Sequence, residues 1–474
     1  MHTNASILSY NLNSYGKFSE RKDWEMQVGF AISDITPELG IYLTGYGRPE
    51  RLATGVHSPL TATAMVLKDG EKEAVVIGLD WCVVDWALTQ EIRKGIVEAA
   101  GVPEKNILLC CSHTHSAPHT TYMRTLGRVA VDPENKGVEY VKKSIPAIAD
   151  AVRRAKESLR ETAAAFAAGK TKTGISRRGM SEEGHVTGFI GDPDLIYDSN
   201  MTAVQFIDRN TREVLGILVH CSAHNTAMGL DRSISSDWCG VMKKRIGQRY
   251  HVPVLFVNGA LGDVGPRTNH WIKSEKHHFC GFCAGAGDGP ASAEEVGYRA
   301  ATDALRLLEG MRDFRTDLPL KFNTTTIQLP QSIPIGEEEA KAIMKKYDDQ
   351  TDKAVEPPVE YQLAKIALET WKEPPQPILE FEQTVLAFGP LAFAPFPFEM
   401  FSVFSLRLRK YGPFEYTLLC SNTNGRNAYM PDRGAFACGG YEPDCLKTVR
   451  PYVVNSEAGD LAVVQTLKSL REMK

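Results

Sequence analysis

The chain has 474 residues, 43% hydrophobic and 24% charged, a balance typical of a soluble globular protein with a sizeable core. A net charge of -4 gives no electrostatic reason to bind nucleic acid or an anionic membrane, and no apolar run approaches the roughly 20 residues of a membrane span. Ten cysteines are scattered along the chain, several inside apolar runs (Cys82, Cys110, Cys420), and read as small buried hydrophobes outside any disulfide framework.

The first 26 residues are polar and lack a signal peptide's apolar core, so as written they read as an N-terminal extension of a cytoplasmic protein. Residues 27–33, 60–67 and 74–79 are strand-like, the last two joined by the hairpin signal Lys68-Asp69-Gly70. Asp80 ends the third strand, where it is either an ordinary turn residue or a carboxylate aimed at a site on the sheet edge. Leu88, Ile92, Ile96 and Val97 predict a helix over 86–101, with Gly101 as its stop. Ile107 to Cys111 is an apolar strand that discharges into His113 and His115, completing a βαβ unit. In extended chain, residues i and i+2 share a face, so the two imidazoles are expected to project together from the strand's end. Ligands of open α/β sheets bind at such ends. Two satisfied turn histidines would leave the same pattern.

A helix is expected over 140–159 and a strand over 163–172, followed by Arg177 and Arg178, either of which could clamp an anionic group. Residues 201–208 and 213–220 alternate around a turn as a hairpin, and His224 lies just past its second strand. Ser236 and Asp237 are expected to cap a helix over 238–250 with their side-chain oxygens. A buried strand, 252–257, runs into a Gly-rich turn whose backbone N–H groups could approach a substrate. Residues 268–292 read as an insertion. There His277, His278, Cys280 and Cys283 form half of a zinc pattern: either a second metal site or a flap over the active site.

After a helix at 293–311 come a strand near 319–329 and helices near 336–348 and 358–372. Proline clusters mark 330–377 as an excursion from the main body. Strands at 381–388 and 391–399 then lead through Glu399 into a helix, 400–411. A strand at 416–420, a polar loop holding Tyr429 and Tyr441, and a helix over 460–473 complete the chain. The expected fold class is α/β, with mixed sheets, flanking helices and a metal site at strand carboxyl ends. Two imidazoles and a carboxylate suit Zn²⁺ and leave a position for water or substrate. Of the His113/His115 pair, one could ligate while the other stays free as an acid or base.

Cys111-Ser-His-Thr-His-Ser-Ala-Pro118 resembles the T-H-T-H-S-G-P signature of the neutral/alkaline non-lysosomal ceramidases. Ala223-His-Asn-Thr-Ala-Met228 is similar to that family's second histidine motif, and Ser236-Asp237 to the pair that follows it. Phe256 to Val264 resembles its strand and G-D-V turn, Pro397-Phe-Glu399 its carboxylate segment, and Tyr429 and Tyr441 keep the spacing of its two functional tyrosines. The resemblance implies a catalytic domain over 27–474, a Zn²⁺ cofactor held by His113, His224, Glu399 and Tyr429, and contacts to the reacting amide from His115, Tyr441 and Arg177, with Arg178 as a rival. It implies hydrolysis of a small N-acyl substrate by metal-activated water. Gly265 departs from the family's G-D-V-S-P turn, where the serine is usually given a catalytic role. That departure removes a serine nucleophile, puts ceramide in question as substrate, and leaves an esterase or a non-catalytic metal-containing binding protein as alternatives. The family's C-terminal immunoglobulin-like domain has no counterpart before Lys474.

Overall fold

A computed structural model describes residues 26–47, 51–122, 131–186, 188–268, 287–348 and 358–474. The cluster His277, His278, Cys280 and Cys283 and the N-terminal extension fall outside these residues.

In chain order, β1 (Gln27–Asp34), β2 (Gly55–Val56), β3 (Thr61–Asp69) and β4 (Lys72–Leu79) lead to α1 (Trp86–Ala100) and β5 (Ile107–Cys111). Next come α2 (Lys136–Glu157), β6 (Arg160–Lys170), β7 (Gly174–Ser176), β8 (Asn200–Asp208), β9 (Val214–Cys221) and β10 (Ser233–Ile234). After them run α3 (Asp237–Tyr250), β11 (Val254–Asn258), β12 (Val264–Pro266), α4 (Pro290–Gly310) and β13 (Leu320–Ser332). The helical pair α5 (Glu337–Asp348) and α6 (Val359–Lys372) precedes β14 (Ile378–Phe388), β15 (Leu391–Pro395), β16 (Glu399–Met400) and α7 (Ser402–Tyr411). The chain closes with β17 (Tyr416–Cys420), β18 (Tyr429–Met430), α8 (Arg433–Cys438), α9 (Tyr441–Val449), β19 (Val453–Val454) and α10 (Ala458–Glu472).

Eight strands form one sheet in the order β11-β9-β8-β6-β1-β3-β4-β5, parallel at its two ends and antiparallel between. This sheet curls until its halves meet. Two glycines permit the approach: a Cβ on Gly78 of β4 would stand 2.9 Å from the Phe256 carbonyl oxygen of β11, and one on Gly216 of β9 would enter the Phe30 ring of β1. The apolar core between the halves holds Phe30, Met65, Phe206 and Leu255 and extends to Phe388 and Phe393 of a second sheet. Helices α1 and α2 cover the outer face of one half, α3 and α4 that of the other. The second sheet, β17-β15-β14-β13-β19, packs its own core against α7 and α10. The curl brings the end of β5 at one edge next to the ends of β9 and β11 at the other, and the site stands there.

Three local expectations need correction. Asp80 does not reach the histidines: its carboxylate takes the Lys243 ammonium at 2.7 Å and the Thr61 hydroxyl at 2.7 Å, tying β4 to α3 and β3. Ser236 makes no side-chain cap on α3; Asp237, at φ 58°, does accept from the Trp238 N–H in that helix's first turn, at 2.6 Å, and also from the backbone N–H groups of Ala227 and Met228, at 3.1 and 2.8 Å. The stretch 391–399 is not one strand: β15 stops at Pro395, and Glu399 belongs to a two-residue strand paired in parallel with Tyr429–Met430.

Candidate metal centre

Strand β5 ends at Cys111, and His113 adopts φ 71°, the left-handed region. The two imidazoles therefore meet through a turn in the backbone and not through continued extension. Their Nε2 atoms lie 3.3 Å apart. Asn258, at the end of β11, gives this convergence its rigidity: its Nδ2 donates to the carbonyls of Ser112 and Ala223, both at 2.9 Å, stapling the two histidine loops together. Asn225 donates to the Ser112 carbonyl as well, at 2.5 Å. Neither asparagine stood out in the sequence as a site residue, although Asn225 directly follows His224 in its motif and Asn258 lies in the strand-and-turn string Phe256 to Val264.

His224 turns its Nδ1 to the carbonyl oxygens of Leu261 and Val264, at 2.7 and 3.0 Å. His113 turns its Nδ1 to the Cys82 carbonyl, at 3.0 Å. With each Nδ1 turned to a backbone carbonyl, both Nε2 atoms are directed at Glu399 Oε2, 3.1 Å from His224 and 3.4 Å from His113. Ligating histidines are oriented this way by the bond on their other nitrogen. The ligand atoms of His113, His224 and Glu399 all lie within 4.8 Å of one another. A second triad, Cys82, His113 and His115, meets the same limit.

The Gly-rich turn after β11 serves this scaffold and does not face outward to a substrate. Gly262 donates to the Met400 carbonyl at 2.9 Å, and a Cβ there would lie 2.5 Å from the Glu399 carbonyl oxygen. Gly265 sits in β12 opposite Ile175 of β7.

Burial opposes a charge on His113, yet the Cys82 thiol and the Glu399 carboxylate outweigh it and lift its pKa to about 10. Burial, with Arg177 next, holds His224 down at about 3, and burial with the two neighbouring imidazoles keeps His115 well below its ordinary range. Although burial opposes it, His113 first and then His224 hold Glu399 well below the usual carboxylate range. One proton thus sits among three imidazoles and a carboxylate, on the face where a divalent cation would replace it.

Tyr429 lies nearly parallel to the His224 ring, with centroids 6.4 Å apart, and its oxygen accepts from Arg177 Nη2 at 3.1 Å. Arg177 is buried and pinned: Nε donates to Glu442 at 3.0 Å and Nη2 to the Gly262 carbonyl at 2.8 Å. Arg178 takes the other Glu442 oxygen and the Gly439 carbonyl, so it braces the clamp while Arg177 reaches the phenol. Tyr441 opens α9, a helix where the sequence suggested loop, and its ring lies 5.9 Å from that of Tyr429. His115 carries an unpartnered, buried Nδ1 and packs edge-on to Tyr46 at 4.8 Å.

A cavity of about 460 Å³ opens over these groups, lined by Tyr46, His115, Glu399, Tyr429 and Tyr441 and, on its far wall, by Ile343 of α5 and Leu363 of α6. The excursion thus contributes a wall of the site. Among the described residues no helix is long and apolar enough to cross a membrane.

Fold and site define a mixed α/β protein with a His/His/Glu cluster, able to hold a metal, at converging strand ends. The sequence profile described as neutral/alkaline non-lysosomal ceramidase, N-terminal, matches residues 26–316, and the chain belongs to that family. Neutral ceramidase 2 of Arabidopsis thaliana is 26% identical over 222 residues, covering 44% of this chain and 28% of the relative. Neutral ceramidase B of Dictyostelium discoideum is 26% identical over 272 residues, covering 52% of this chain and 36% of the relative. These alignments span about a third of the relatives' length. The crystal structure of the neutral ceramidase from Pseudomonas aeruginosa superposes with a TM-score of 0.70 at 17% identity, covering 95% of this chain and 74% of that one, a likeness of fold.

Proposed function

We propose that this chain is a zinc-dependent hydrolase that cleaves the C–N bond of an N-acyl amide, with His113, His224, Glu399 and Tyr429 as the residues that hold the ion. The observation that carries this reading is the convergence of two Nε2 atoms on one carboxylate oxygen while backbone carbonyls occupy both Nδ1 atoms. That donor set, two neutral-capable imidazoles and an anionic carboxylate, fits a borderline-soft divalent cation. Zinc bound there would polarise a carbonyl and bring a water's pKa down to about 7.

The remaining groups have separable tasks. Arg177 donates to the Tyr429 oxygen and so favours negative charge on that ligand atom. His115, kept neutral at the cavity wall, presents a lone pair that can accept a hydrogen bond from the attacking water and orient it. Tyr441, whose phenol stays protonated chiefly because of the Cys445 thiol and then burial, can donate to the carbonyl oxygen or the departing nitrogen. No serine is needed for this division of labour, which accommodates Gly265.

Metal content and turnover on a panel of N-acyl amides and esters test the reading. His113→Ala and His224→Ala should lose stoichiometric zinc, whereas His115→Ala should keep zinc and lose turnover by about 10²-fold or more. Wild-type chain without zinc would sink the site assignment. Turnover confined to esters would replace amide by ester as the substrate class.

A further inference from the structure

A second cleft, of about 570 Å³, adjoins the metal-site cavity, and Arg426 lines both. Its volume falls in the roughly 300–1,000 Å³ range of small-molecule sites. Trp86, 46% exposed, Phe381, Leu379 and Pro397 give it apolar walls. Its charged groups are unequally engaged. The Asp85 carboxylate accepts from the backbone N–H groups of Leu88 and Tyr122, Glu382 pairs with Arg93 at 3.5 Å, and Glu380 accepts from Gln328 at 2.6 Å.

The two arginines have no comparable acidic partner. Arg426 donates to the Thr121 hydroxyl at 3.3 Å, and Arg450 donates to the Arg426 carbonyl at 3.3 Å. Neither forms an ion pair with a carboxylate among the described residues. Burial, reinforced by the charge of Arg426, holds the Arg450 guanidinium below its ordinary range. Two neighbouring like charges beside an apolar wall favour an anion that can take a guanidinium's paired donors, and a carboxylate has that shape.

We propose that this cleft binds a single-chain fatty carboxylate, its head group on Arg450 and Arg426 and its alkyl chain along Trp86 and Phe381. The unpaired arginines select the anionic head, and the aromatic and aliphatic wall selects the tail. The acid released by hydrolysis of an N-acyl amide belongs to the same chemical class, but occupancy of the cleft needs no turnover and so stands apart from the hydrolase reading.

The test is a titration of the full chain with dodecanoate, dodecan-1-ol and acetate, followed by calorimetry and tryptophan fluorescence. The chain is treated with EDTA so that no metal ion holds the carboxylate. Dodecanoate should bind one per chain, about tenfold or more tighter than the alcohol, with acetate silent. Trp86→Phe should remove most of the fluorescence change while calorimetric binding persists. Arg450→Gln should bring dodecanoate down to the affinity of the alcohol, and Arg426→Gln provides the same comparison if Arg450→Gln loses its native near-UV dichroism. Equal affinity for acid and alcohol, or dodecanoate binding unchanged in a folded Arg450→Gln chain, would overturn the proposal. A chain that binds dodecanoate but cleaves no amide keeps this site and loses the hydrolase reading; the converse pair of results does the reverse.

Discussion

His115 is positioned by a residue with no side chain. Gly45 has φ 101°, and a Cβ there would lie 2.2 Å from His115 Nδ1, too close for any rotamer of the ring to ignore. Gly45→Ala should therefore push the imidazole out of place while leaving His113, His224 and Glu399 untouched. Zinc content should stay at one per chain and kcat should fall by about 10²-fold, the usual consequence of displacing a reacting group by about 1 Å. An unchanged kcat would remove His115 from the reaction. Asp263, in the turn behind His224, gives a pH test. Burial pushes its carboxyl up to about 7 against the two bonds it accepts from Ser402, both at 2.8 Å on Oδ1. Between 3.8 and about 7 the folded chain holds a proton that the unfolded chain has released, so stability falls as pH rises through that window and levels off above it. Asparagine can accept both Ser402 bonds without titrating. In urea unfolding of EDTA-treated protein, Asp263→Asn should gain on wild type from pH 4 to pH 7, by about 1.4 kcal/mol for each unit of pKa displacement. A constant difference across that range would mean that Asp263 ionises normally in the folded state. The histidines that the structure brings together stood out in the sequence because each follows an apolar strand, whereas Tyr429, Tyr441 and Arg177 stood out through the family resemblance. The left-handed turn at His113 and the stapling role of Asn258 did not, since each depends on tertiary neighbours: the Trp81 and Cys82 carbonyls for His113, and for Asn258 the Ser112 carbonyl, more than a hundred residues away in the chain.

At the scale of elements, the helical pair α5 and α6 is the part of the fold most separable from the rest. It has its own small cluster, Ile335, Ala340, Ala364 and Ala367, and Trp371 ties it to its base through the Ile335 carbonyl at 3.0 Å. Below that base β13 and β14 already pair through Pro330 and Ile378. Replacing residues 334–376 by a tight turn should leave a folded chain with normal zinc content. Removing Ile343 and Leu363 from the cavity wall should raise KM for long-chain N-acyl amides while barely changing it for acetyl amides. Equal effects on both would assign the pair a role in stability alone. Proline clusters made this excursion visible in the sequence, because they interrupt helical periodicity on both sides. Continuous apolar runs likewise exposed β3 and β4, and the 3.6-residue spacing of Leu88, Ile92 and Ile96 exposed α1. The two-residue strands β16 and β18 were out of reach, since a pair that short has no period to read and exists only because Glu399 and Tyr429 face each other across the site.

For the molecule as a whole, the candidate metal centre is a junction. His113 and His224 descend from the curled eight-stranded sheet, whereas Glu399 and Tyr429 come from the segments that follow β15 and β17 of the second sheet. The curl that brings the first two together depends on Gly78 and Gly216; each lies inside a strand-like run, where a glycine marks a close approach, but the sequence does not name the partner. An ion held by residues from both sheets binds the native arrangement and not the unfolded chain, so it must stabilise the junction by mass action. Thermal unfolding should consequently depend on free zinc: at 100 times the dissociation constant the gain is about 2.7 kcal/mol, and EDTA should abolish it. The substitution that separates a junction from a one-sided site is Glu399→Gln. It removes the anionic ligand of the second sheet while leaving both imidazoles, so the zinc-dependent rise in midpoint should shrink toward zero even if weak binding to the histidines survives. If zinc raises the midpoint of Glu399→Gln as much as that of wild type, the ion is held by the first sheet alone and the second sheet's carboxylate has another task.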